Sequence, residues 1–109
     1  MSLSQTDELL VAKRKVENAR VRLSTLEGEL QILPRHIRKA WMESDTLQAF
    51  RELSARRAEL PALIERAAEE LEEAVREELE VRHGSAPQWH VDRILRAYRN
   101  PMFQRPGPA

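Results

Sequence analysis

Thr46–Arg82, TLQAFRELSARRAELPALIERAAEELEEAVREELEVR, reads as one long helix. It is rich in Ala, Leu, Glu and Arg, residues that lose little side-chain freedom in a helix. Phe50, Leu53, Leu60, Ile64, Ala67, Leu71, Ala74 and Val81 recur with a heptad period and make one apolar seam, which Arg57 and Glu78 interrupt. Leu63, Ala68, Val75 and Leu79 add a second apolar edge, so the stripe is wider than one partner helix covers. Pro61 has no N–H to give to the turn before it, and the spacing predicts a bend there or a split near Leu60. Asp45, with Gln48 three residues later, has the form of a capping box and starts this helix near Ser44 or Asp45. Gly84, after Arg82 and His83, ends it.

Upstream, a first helix is predicted from about Ser4 to Leu33. Ser4 and Thr6 offer capping oxygens, and Asp7 and Glu8 stand in the first turn, where acids complement the helix dipole. Leu9, Val16, Leu23 and Leu30 fall seven apart, as do Ala12, Ala19, Leu26 and Leu33. This unbroken seam predicts an antiparallel, coiled-coil-like hairpin with the second helix. In the register expected from it, Phe50 lies near Leu30, Leu60 near Ala19, Ile64 near Val16 and Leu71 near Leu9. Gly28 inside the helix costs about 1 kcal/mol against alanine, unless a close approach requires it. Pro34 is read as ending or kinking the helix, because proline disfavours helical geometry in the residue before it. Arg35–Met42 then form the connection, a short helical turn. Its Arg35, His36, Arg38 and Lys39 are the densest basic group in the chain, with Ile37, Ala40 and Trp41 as the apolar residues.

Downstream, Ser85-Ala86-Pro87-Gln88 repeats the capping pattern and opens a third helix running to about Arg99. Val91, Ile94, Leu95 and Tyr98 form its stripe, with Trp89 beside it, and that stripe fits back onto Val75 and Leu79. Asn100-Pro101 stops it, and MFQRPGPA follows as an extended tail rich in proline and glycine. The fold class is therefore all-α: a hairpin over residues 1–83, a C-terminal helix over 84–100 and a tail over 101–109.

The composition narrows function by exclusion. Charged residues make up 33% of the chain and aromatics 5%, a thin supply for a compact core and ample for long amphipathic helices. Formal net charge is zero but unevenly spread: residues 61–83 carry eight acids against three arginines, and residues 84–109 carry four arginines against one acid. No stretch has the dense basic footprint of a general DNA binder. Cysteine is absent, so there is no disulfide framework and no thiol nucleophile. With glycine only at 28, 84 and 107, there is no phosphate-binding loop. Ser85 serves as a cap, and no nucleophile-elbow pattern surrounds it. Glu80 and His83 have ligand spacing but no further ligands to complete a metal site, so they read as a solvated pair. Glu69, Glu70, Glu72, Glu73, Glu77 and Glu80 read as a solvated face, with an acidic docking surface as the alternative. Neither a catalytic site nor a cofactor is expected. The apolar runs are too short to span a membrane, and the polar start at Met1–Glu8 predicts no secretory signal.

Ala40-Trp41, followed by Ser44 and Phe50, on a hairpin of this length resembles the small secreted helical-hairpin proteins with a Trp-X-Gly turn. The resemblance covers residues 40–50 and implies a secreted hairpin. Glu43 stands where that family has its glycine, and Tyr98 is not followed by the acidic residue of its C-terminal export signal.

The leading expectation is a non-enzymatic structural or adaptor protein that assembles through helix packing, with itself or within a larger protein assembly. A virion, phage-assembly or secretion-system component fits, in the cytoplasm or inside an assembled particle. The working surface is expected at Leu63, Val75, Leu79, Trp89, Ile94 and Tyr98. The alternative is a regulator that inserts its hairpin tip, Arg35, Arg38, Lys39 and Trp41, into a larger machine or onto nucleic acid.

Overall fold

In the computed structural model, residues 5–43 and 47–99 are described. They form three helices: α1 (Gln5–Glu43), α2 (Gln48–His83) and α3 (Gln88–Arg99). No strand occurs among them. α1 and α2 pack against each other as an antiparallel hairpin, and α3 follows as a shorter third helix. Among the described residues, no helix is long and apolar enough to cross a membrane. The caps expected at Ser4 and Asp45, and the tail after Arg99, lie outside the described residues.

The first helix does not stop at Pro34. α1 runs nine residues beyond it, with the proline in its interior and exposed. Continuing the helix keeps Ile37, Ala40 and Trp41 at helical spacing from the buried Leu33, and it sets Trp41 against Phe50, ring centroids 5.0 Å apart. That packing outweighs the local preference of the residue before proline. α2 likewise passes through Pro61 as one helix, without the split considered above.

The extension changes the register. Phe50 meets Trp41, not Leu30, which lies eleven residues earlier, about 16 Å of helix rise away. Lys15 Nζ pairs with Glu77 Oε1 at 3.1 Å. Leu9 and Leu71 each lie six residues before that pair, which separates them in antiparallel helices.

The chain divides into two compact units. The first combines the described parts of Met1–Arg20 and Glu69–Ala109. Its core is Ala12 and Val16 from α1, Leu71, Ala74, Val75 and Leu79 from α2, and Val91 from α3, all buried. Gly84 ends α2 as expected: its φ is 78°, and its N–H donates to the Glu80 carbonyl at 2.8 Å. That is the left-handed helix stop in which a Cβ would be strained. Four residues later α3 begins, with the Pro87 carbonyl accepting from the His90 and Val91 N–H groups.

The second unit, Val21–Ala68, buries Leu23, Leu26 and Leu33 of α1 with Leu60 and Ala67 of α2. Arg56 holds the Glu29 carboxylate in a two-pronged pair, Nη2 donating to Oε1 at 2.9 Å and Nε to Oε2. Those bonds hold the Glu29 carboxyl below its usual range. A Cβ placed on Gly28 would meet nothing within 4 Å, so no close approach requires this glycine.

Of the two interruptions in the α2 seam, Arg57 turns to solvent. Glu78 is only 15% exposed at its side chain and pairs with Arg82 at 3.2 Å. The seam tolerates an acid there because a base one turn on answers it.

Candidate interaction surfaces

Val75 and Leu79 belong to the core, not to a working surface. Both lie on the side of α2 that leads toward Glu72 and Arg76, and α3 starts on that side. Gln88 accepts from Arg76 Nη2 at 3.1 Å and donates through Nε2 to Glu72 at 3.2 Å and to Asp92 at 2.8 Å. α3 thus lies against the Val75 and Leu79 end of the second edge, within one compact unit. Ile94 and Tyr98 are half-buried in the same unit, and Leu63 is half-buried in the other.

Tyr98 is held at the end of α3. The Arg20 guanidinium lies over its ring, 5.6 Å from the centroid, while Arg20 Nη2 donates to Glu17 Oε1 at 2.8 Å. Burial pushes the Tyr98 hydroxyl above its ordinary value of 10.0; Glu78 and Glu17 push the same way, and Arg20 and Arg82 oppose them. The fold thus keeps the phenol neutral where the unfolded chain has begun to ionise. Its contribution to stability is complete below the unfolded value and is lost as pH rises through the higher folded one. Thermal melts between about pH 9 and pH 11 should therefore lose more stability in the natural chain than in Tyr98→Phe. Parallel losses would show that the phenol's environment is the same folded and unfolded.

Trp89 remains a surface residue, 65% exposed. It stacks on His90, centroids 5.0 Å apart and rings 11° from parallel, and His90 in turn stacks on His83 at 6.0 Å and 26°. This three-ring stack was not foreseen from the sequence. The only hint is two histidines flanking a helix stop, and the Gly84 turn is what folds them together. Glu80 and His83 are both exposed, and no cluster of three metal-ligating side chains occurs among the described residues.

In the other unit, Arg35, Arg38 and Lys39 are exposed on α1 as expected. Trp41 is 61% exposed although one face leans on Phe50. Met42, 76% exposed, and Leu47 extend the apolar surface at this end of the hairpin. Neither was singled out in the sequence, since both fall outside the heptad seams.

The arrangement offers two surfaces: the outer face of α3 with its aromatic stack, and a basic and apolar hairpin end. No protein-family model, no curated protein and no solved structure matches this chain.

Proposed function

We propose that the chain is a non-enzymatic structural or adaptor protein that assembles through its helix faces, with copies of itself or within a larger protein assembly. One observation carries the reading: both tryptophans of the chain, Trp41 and Trp89, stand mostly in solvent. Tryptophan brings the largest apolar area of any side chain and is enriched where proteins meet. A chain with so few aromatics has little reason to leave both uncovered unless another surface covers them. The charged, solvated seam edges supply solubility before assembly.

Light scattering behind a sizing column, with circular dichroism on the same peak, tests this. The natural chain is expected to elute as a helical assembly, and Trp89→Ala to shift the mass toward the monomer while leaving helicity unchanged. A natural chain that stays monomeric and binds no protein partner would remove the reading.

A second reading is supported by the hairpin end, where exposed Trp41, Met42 and Leu47 stand beside Arg35, Arg38 and Lys39. It is a tip that enters a larger machine or contacts nucleic acid. A nucleic-acid role requires binding that weakens steeply with salt and is lost when the three bases become alanine.

A further inference from the structure

We propose that the outer face of α3, Trp89 with Arg93 and Arg96, docks on the acidic back of α2, Glu69, Glu73 and Glu80, in a second copy of this chain. The proposal rests on the assembly reading above and names the surface that serves it. At about 100° per residue, Trp89, Arg93 and Arg96 fall within about 60° of one another, diametrically opposite the buried Val91. All three are exposed. By the same spacing Glu69, Glu73 and Glu80 fall within about 40° of one another, opposite the buried Leu71, and are exposed as well.

Three other acids of this stretch find bases at home: Glu72 meets Arg76, Glu77 meets Lys15 and Glu78 meets Arg82. No ion pair engages Glu69, Glu73, Glu80, Arg93 or Arg96 among the described residues. Each helix therefore carries one stripe of uncommitted charge, of opposite sign, on the side away from the core of the same unit. Stripes that both face outward from one core cannot meet within one chain. Two copies satisfy both at once, with α3 of each on α2 of the other, in the closed two-fold arrangement commonest among oligomers. The charges set partner and orientation, and burial of Trp89 supplies the apolar anchor that exposed ion pairs alone lack. Nucleic acid fits less well, because two arginines track little backbone and the three uncommitted acids of the same unit repel phosphate.

A charge exchange on the full chain tests the proposal. Arg93→Glu with Arg96→Glu, and separately Glu69→Arg with Glu73→Arg, should each keep the helical circular dichroism, since all four positions are exposed. Each double variant alone should associate at least tenfold more weakly than the natural chain in sedimentation. An equal mixture of the two should recover association, because both contacts of the mixed pair are again opposite in sign. If the natural chain associates and the variants associate equally well, this surface is wrong while the assembly reading stands. If each variant loses association and the mixture does not regain it, the second-copy pairing is wrong. A natural chain that is monomeric at every concentration overturns self-assembly and this surface together. If such a monomer binds labelled single-stranded DNA, and Arg93→Glu with Arg96→Glu abolishes that binding, the face belongs to nucleic acid.

Discussion

Leu71→Asp is expected to abolish the cooperative thermal transition of the protein. Leu71 is fully buried at the centre of the unit that all three helices share. Truncating a leucine at such a site costs about 2–5 kcal/mol in lost transfer energy and residual cavity. The carboxylate adds its own desolvation, and aspartate is too short to carry its charge to water. Arg66 and Arg76, five residues to either side, point about 140° away around the helix and cannot answer it. The sum reaches the whole stability of an ordinary small domain, about 5–15 kcal/mol. Circular dichroism during heating checks this, with Ala58→Asp as the control. Ala58 is exposed on the same helix, and a change there stays within about 0.5 kcal/mol. A sharp transition near the natural temperature for Leu71→Asp would mean that the α2 seam is not the core.

Pro61→Ala is expected to act in the opposite direction. Pro61 is exposed within a helix that runs on for more than twenty residues beyond it. It leaves the Arg57 carbonyl without its intrahelical donor, and proline in a helix interior is about 3 kcal/mol less favourable than alanine. Alanine frees the unfolded chain, which returns about 0.4–1 kcal/mol of that gain. The net is a stabilisation of about 2 kcal/mol, and a domain of this size converts each kcal/mol into about 4–8 °C of melting temperature. A rise of about 8–16 °C is therefore predicted from a single exposed substitution. An unchanged or lower melting temperature would show that the proline ring makes a packing contribution alanine cannot replace.

The hairpin was legible in the sequence because its signal is redundant. All eight seam positions of α1 are buried or half-buried, and so are all eight apolar seam positions of α2. Each wrong position would have had to be outvoted by seven others. Gly84 was legible for a different reason: a helix stop with positive φ has almost one residue type to choose from.

What failed turned on contests between local and distant forces. Pro34 is a strong local signal, and the sequence does not reveal that Trp41 gains a ring to pack on only if the helix continues. The register shifts with it, since pairings counted back from a helix end at Leu33 move when the helix runs on to Glu43. Val75 and Leu79 read both as an edge onto which the α3 stripe fits back and as part of a working surface; their burial keeps the first reading and removes the second. The turn at Gly84–Pro87 brings Gln88 beside Glu72 and Arg76, so the cover comes from α3. Of the expected site residues, Trp89, Arg35, Arg38, Lys39 and Trp41 are exposed because they lie off the seams, a property that periodicity does report.

The two tryptophans also make the molecule its own optical instrument. One lies in each compact unit, Trp41 against Phe50 and Trp89 against His90, and no other indole contributes to the emission. Replacing either with phenylalanine leaves a single fluorophore whose surroundings change when its own unit opens. The stability of the protein thus becomes two separately readable numbers rather than one average. Their difference measures how independently the two units open.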